Sequence, residues 1–211
     1  MPDIRTFAID PSRSALIVVD MQNDFVRAGA PLEVPDARAT IQPIQATIAV
    51  FRRLHRPVVF TRFIAGPRET LLWTWSPELR PPVSCCKPGH QRRYTDGERE
   101  LDCVAVIEEL PVLPGDYVVD KYGYGAFFRT NLHDIILAEH ADTVVVCGTV
   151  TQICVEETAR QAFHLDLKVI MLSDGVSSFD PGMHAATLKN HAHKFGRVMD
   201  SPSLAAAMAQ R

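Results

Sequence analysis

Short apolar runs rich in valine and isoleucine, separated by stretches of helical periodicity, constrain this chain more than any other feature. Ser14–Val19 (SALIVV), Val58–Phe63, Tyr117–Asp120, Thr143–Cys147 (TVVVC), Lys168–Leu172 and Arg197–Met199 read as six strands. Runs that are apolar at nearly every position belong to strands buried on both faces, as in a parallel sheet covered by helices. Helical patterns fill the intervals. Asp36 opens one that runs to about His55, with Ile41, Ile44, Ile48, Phe51 and Leu54 at helical spacing, and Pro43 makes it begin late or bend early. Others are expected over Cys103–Leu110, from Thr130 or Asn131 to His140, and from Ile153 to His164. Asp180-Pro181 opens another, with Ala185, Leu188 and Ala192 on one face, and Ser201–Ala209 closes the chain with Pro202 in its first turn. The alternation predicts an α/β fold, a three-layer α/β/α arrangement about a six-stranded parallel sheet. At 211 residues, one domain over 1–211 with a single large core is expected.

One stretch breaks the rhythm. Residues 66–101 contain Pro67, Pro77, Pro81, Pro82 and Pro88, both tryptophans (Trp73 and Trp75) and the pair Cys85-Cys86. A connection of this length serves as a lid, a binding loop or a subunit contact, or else is a surface excursion pinned by its tryptophans. The net charge of −3 leaves no basic footprint for nucleic acid. No apolar run approaches the roughly 20 residues that cross a bilayer. The first ten residues carry Asp3, Arg5 and Asp10 with no apolar stretch between them, so no secretory leader is expected. Five cysteines are an odd number, and a core this large needs no staples; free thiols in a reducing cytoplasm are the expectation.

Ligands of open parallel sheets bind beyond the carboxyl ends of the strands. Asp20, Arg62, Lys121, Gly148 and Asp174 stand there, with Cys154 where the helix after the fourth strand begins. An acid, a cation and a thiol from different strands thus face one edge. A helix start favours thiolate over thiol, and its free N–H groups suit an oxyanion. With Asp20 to accept a proton and Lys121 as neighbouring cation, these are the parts of covalent acyl transfer. The competing account makes Cys154 a small buried hydrophobe, Asp20 a strand-end cap and Lys121 a solvated charge.

Ala15-Leu16-Ile17-Val18-Val19-Asp20-Met21-Gln22-Asn23-Asp24-Phe25 resembles the opening signature of the isochorismatase-like cysteine hydrolases. Lys121-Tyr122-Gly123-Tyr124-Gly125-Ala126-Phe127-Phe128 is similar to their lysine segment, and Gly148 through Arg160 to their nucleophile segment. Ser173-Asp174-Gly175-Val176 matches the pattern after their fifth strand. The resemblance implies an Asp20–Lys121–Cys154 triad and a non-proline cis peptide at Thr149–Val150. It also implies an oxyanion hole formed by the backbone N–H groups of Val150 and Cys154. The nicotinamidase branch carries an Asp-x-His metal motif after the second strand. Here that place reads Thr61-Arg62-Phe63-Ile64-Ala65, so the resemblance implies no metal and no cofactor. Cys154 also counts against the vinyl-ether-cleaving isochorismatases, which lack it. The implied activity is that of a metal-free amidohydrolase acting on a small amide or ureido compound, with neither nucleic acid nor membrane as partner. A homodimer or homotetramer is implied too. The alternative from another class is a non-catalytic thiol sensor built on the same fold.

Candidate pocket residues are Phe25, which matches the family's pocket phenylalanine; Arg62, as a clamp for a substrate carboxylate or carbonyl; Tyr122; and Trp73 or Trp75 from the excursion. Cys85, Cys86, His90 and Cys103 could be drawn as zinc ligands, but adjacent cysteines lack the usual Cys-x₂₋₄-Cys spacing. His191 and His193, two apart on a helix, point to different faces. Cys147, inside the fourth strand, is expected to be inert.

Overall fold

The six apolar runs assemble into one parallel sheet in the computed structural model, which describes residues 7–68 and 70–209. Asp3 and Arg5, on which the leaderless reading partly rests, lie outside the described residues. In chain order the elements are β1 (Ser14–Val19), α1 (Asn23–Val26), α2 (Ile41–Arg53), β2 (Val58–Phe63), α3 (Leu71–Trp75), β3 (Gln91–Arg93), β4 (Glu100–Asp102), β5 (Tyr117–Lys121), α4 (Leu132–Ala138), β6 (Thr143–Thr149), α5 (Glu156–His164), β7 (Lys168–Ser177), α6 (Pro181–Lys194), β8 (Arg197–Met199) and α7 (Ser201–Ala209). The sheet order is β5-β2-β1-β6-β7-β8, every pairing parallel. No described helix is long and apolar enough to cross a membrane.

Alternate side chains of β1 feed two separate apolar layers, because successive residues of a strand face opposite sides. Leu16 and Val18 pack with Ile44, Ile48 and Phe51 of α2 and with Leu204 and Met208 of α7. Ala15, Ile17 and Val19 pack with Leu132 and Ile136 of α4 and with Ala159 and Ala162 of α5. Each large aliphatic side chain so buried contributes about 1.5–3 kcal/mol. That double burial explains why the central strands read as unbroken apolar runs.

Local departures from the sequence reading have physical causes. The helix expected from Asp36 is a 3-10 turn over Pro35–Thr40 followed by α2, with Pro43 in the first turn, where the missing N–H has no partner to lose. The helix expected over Cys103–Leu110 is absent. Its backbone instead pairs with the chain beyond β1: the carbonyls of Cys103 and Ala105 accept from Asp24 and Asn23, and Ile107 N donates to the Met21 carbonyl. β7 runs five residues past Leu172, and its register against β6 shifts between Val146 and Gly148.

The excursion is tied down chiefly by a carboxylate. Asp24, fully buried, accepts from Cys86 N (2.8 Å), Arg92 Nε (2.9 Å) and Tyr94 Oη (2.7 Å). β3 and β4 form an antiparallel hairpin, and Leu79, Cys85 and Cys86 join the core on the α2 side. Trp73 packs half-buried against that core, whereas Trp75 is 85% exposed and pins nothing.

Candidate active site

Four strand ends converge around Asp20. The residue stands at the end of β1 with a positive φ of 50°, a conformation that short polar side chains tolerate better than bulky ones. Its carboxylate is fully buried. Oδ1 accepts from the Thr61 hydroxyl of β2 at 2.7 Å, and Oδ2 lies 2.7 Å from Lys121 Nζ. Apart from that ion pair, Oδ2 takes no hydrogen bond of good geometry. Lys121 reaches past β2 from the end of β5, and its ammonium also donates to the carbonyls of Gly123 (3.0 Å) and Tyr124 (2.9 Å). With two protons on these carbonyls and its charge paired with Asp20, it is held as a fixed cation. The Phe63 ring lies 5.2 Å from the same nitrogen.

Cys154 follows β6. Gly148 ends the straight part of that strand at φ +110°, where a Cβ would overlap the Val19 carbonyl. Only glycine allows β6 to pass so close to β1. The Thr149–Val150 peptide is cis, as the resemblance implies. The chain then makes a π-type turn over Thr151–Val155 before α5, so Cys154 sits in the turn ahead of the helix that the sequence places from Ile153.

Electrostatics in this pocket are dominated by burial. Burial pushes the Cys154 thiol up to about 12; Lys121 pulls it down, and Asp20 pushes it up again. Burial thus favours the Cys154 thiol over the thiolate, against the expectation of a thiolate from the helix start alone. For Lys121, burial opposes the charge, but Asp20 and then Cys154 outweigh it, and the amine is held above the ordinary lysine value. A neutral thiol beside a buried carboxylate–ammonium pair is poised to lose its proton to the carboxylate only as it reacts.

Cys154 opens onto a cavity of about 220 Å³ whose walls include Phe25, Phe63, Leu79, Tyr124, Val150 and Phe179. A wider groove of about 1150 Å³, sharing Tyr124 and Ile153 with it, is bordered by Leu71, Trp75, Tyr122 and Phe128. Phe25 thus stands where the sequence places it. None of the other candidates, Arg62, Tyr122, Trp73 or Trp75, lines that cavity, and Trp75 borders only the wider groove. Arg62 pairs bidentately with Asp120 (2.6 and 2.9 Å), its neighbour in the β2–β5 register, and is turned away from the thiol. Tyr122 is half-exposed on the outer groove. Trp73 lines neither space; its ring lies against the core and Arg68. Asp174 serves as a cap, accepting from Ser201 N and Oγ at the start of α7.

Sequence reasoning missed Thr61, which bonds Asp20, and Tyr124, Glu33 and Glu78, which line the cavity at Cys154. Thr61 carried a signal, standing next to a strand end. The glutamates carried none, because only the folded excursion and the 29–38 segment bring them to Cys154. Among the described residues, the only trio of metal-ligating atoms close together is that of Asp24, Cys85 and Cys86. It includes neither His90 nor Cys103 of the drawn zinc set, and both Asp24 oxygens already hold protein donors. All five cysteines are free and buried.

Comparison with known proteins bears on the family and the fold. The chain is 29% identical over 213 residues to "Ureidoacrylate amidohydrolase RutB" of Rhizobium rhizogenes, covering 96% of this chain and 86% of the relative. It is 29% identical to "Nicotinamidase 3" of Arabidopsis thaliana, covering 90% and 86%. Among solved structures it is similar to a cysteine hydrolase from Pseudomonas syringae, with TM-score 0.85, 28% identity and coverage of 96% and 95%. It is also similar to N-carbamoylsarcosine amidase from Thermoplasma acidophilum, with TM-score 0.73, 30% identity and coverage of 90% and 96%. The isochorismatase domain model matches residues 14–203, a span that includes the whole sheet and all three converging residues, and the chain belongs to the isochorismatase family of hydrolases.

Proposed function

We propose that this chain is a cysteine amidohydrolase that cleaves the C–N bond of a small amide or ureido compound through a thioester and releases ammonia. The observation that carries the reading is the meeting of Cys154, which lines a small cavity, with the buried Asp20–Lys121 ion pair behind it. Two of the relatives named above act, by name, on N-carbamoyl compounds, which supports a ureido group as one form of the substrate.

Each residue's part follows from its surroundings. Asp20 Oδ2, free of hydrogen bonds, takes the Sγ proton of Cys154 as the sulfur attacks the carbonyl carbon. The C–S bond forms, and the carbonyl electron pair moves onto oxygen, where the N–H groups of Val150 and Cys154 receive it. The oxyanion collapses, the C–N bond breaks, and Asp20 returns its proton to the departing nitrogen, which leaves as ammonia. Water then gives a proton to Asp20 and attacks the thioester. The C–S bond breaks, and the proton goes back to sulfur with release of the acid, or of the carbamic acid when a ureido carbonyl is attacked. Lys121 keeps the carboxylate in place throughout and offsets its charge while Asp20 cycles. It also lowers the cost of the thiolate.

Ammonia release from a panel of small amides, ureides and nicotinamide tests this. We expect turnover by the intact protein, none by Cys154→Ala, and a loss of about 10²–10⁴-fold in kcat/KM for Asp20→Asn. A thioester adduct on Cys154, seen by mass spectrometry after rapid quenching, is expected with the best substrate. Selective alkylation of Cys154 together with no turnover of any amide would favour the thiol-sensing alternative instead.

A further inference from the structure

We propose that the cavity over Cys154 selects neutral or positively charged amides and rejects those carrying a carboxylate, with Glu78 as the residue that sets this preference. The inference rests on the amide-hydrolase reading and adds the charge of the substrate to it.

Two acidic residues line the cavity, Glu33 and Glu78, and among the described residues no lysine or arginine does. The two acids differ in what holds them. Glu33 has both oxygens engaged, Oε2 by Gly29 N (2.7 Å) and Oε1 by Arg38 Nη2 (2.9 Å), and these contacts hold its carboxyl below the usual glutamate range. Its charge is answered locally. Glu78 is half-buried and, among the described residues, has neither an ion pair nor a hydrogen bond at its carboxylate. Its place is nevertheless fixed. It lies in the 3-10 turn Pro77–Leu79, its carbonyl accepts from Cys85 N at 2.9 Å, and the next side chain, Leu79, is buried in the core.

The cations nearest the buried carboxylates are engaged elsewhere. Arg62 is paired with Asp120, Arg92 with Asp24, Arg38 with Glu33, and Lys121 is ion-paired with Asp20 and donates to the carbonyls of Gly123 and Tyr124. An anionic group entering the cavity would lose its hydration, gain no partner and face the open charge of Glu78. An ammonium or an N–H donor would find Glu78 as acceptor and the faces of Phe25, Phe63 and Tyr124 around it. An N-carbamoyl acid with a free carboxylate is accordingly a poor fit for this member of the family.

Three amides of matched chain length test the point: 3-aminopropanamide (cation), butanamide (neutral) and succinamate (anion). For the intact protein we expect kcat/KM at least about tenfold lower for succinamate than for butanamide, and 3-aminopropanamide at or above butanamide. Glu78→Gln should shrink the cation-to-anion ratio by about tenfold or more, and Glu78→Lys should reverse its order. Preference of the intact protein for succinamate, or a ratio unchanged in Glu78→Gln, would overturn the proposal. Binding of the same three compounds to Cys154→Ala, measured by calorimetry, separates this from the reading beneath it. The same charge order in binding with no ammonia from any compound would refute hydrolysis and keep the selectivity. Ammonia from all three at equal efficiency would do the opposite.

Discussion

Lys121 and Asp20 form an ion pair with both side chains fully buried at rest, and such pairs are costly to break from one side only. Lys121→Met would leave Asp20 charged, buried and without its cation, and should cost about 3–5 kcal/mol in denaturant unfolding. Adding Asp20→Asn should restore part of that loss while activity stays abolished, so the double-mutant cycle separates what the pair does for stability from what it does for catalysis. Additive losses in the two single variants would show that the pair is not coupled. At this scale the sequence was informative about Asp20, Lys121, Phe25 and Cys154, because strand ends and one resemblance suffice to place them. It was uninformative about Arg62, whose direction is settled by the parallel register that sets Asp120 beside it. A residue's position along a strand was readable; its partner on the next strand was not.

Asp24 governs an element rather than a reaction. One carboxylate collects the backbone of Cys86 and the side chains of Arg92 and Tyr94, and so holds most of the proline-rich excursion against α1. Asp24→Asn keeps the volume but removes the charge that Arg92 answers and one acceptor, turning an oxygen into a donor that faces the donors of its neighbours. Limited proteolysis should then cut within residues 86–101 at least about tenfold faster, with the sheet resisting as before; an unchanged cleavage rate would mean that the apolar contacts of Leu79 and Cys85 hold the excursion unaided. The strands were legible because their burial on both faces is written in composition. The excursion and Cys103–Leu110 were not, since their backbone is satisfied by partners some 80 residues away in the chain, which outweigh local helical preference.

The molecule as a whole should lose stability in mild acid through one buried imidazole. His191, on α6, is enclosed beside Phe195 with Nε2 lacking a hydrogen-bond partner, and burial pushes its pKa down to about 4. In the unfolded chain the value is the ordinary 6.5 or so. Between these values the unfolded chain binds a proton that the native one does not. The contribution is therefore complete above about pH 6.5 and is lost as pH falls towards 4, by up to about 3 kcal/mol. His191→Met should flatten the pH dependence of unfolding in that window; identical slopes for the two proteins would exclude His191 as the cause. The six-strand order and the two apolar layers followed from alternation and burial, as expected of α/β chains. The enclosure over Cys154 did not, because six separate stretches of chain, from Phe25 to Phe179, build it.

That enclosure also decides what the thiol never meets. At about 30 Å³ per water molecule, 220 Å³ holds roughly seven waters. A free amide of a few heavy atoms can replace them, but a glutamine or asparagine side chain of another folded protein brings its backbone with it and is stopped at the rim. If Cys154 is the amide-opening nucleophile proposed above, the walls would act as a molecular sieve that keeps it from the side-chain amides of folded proteins by size.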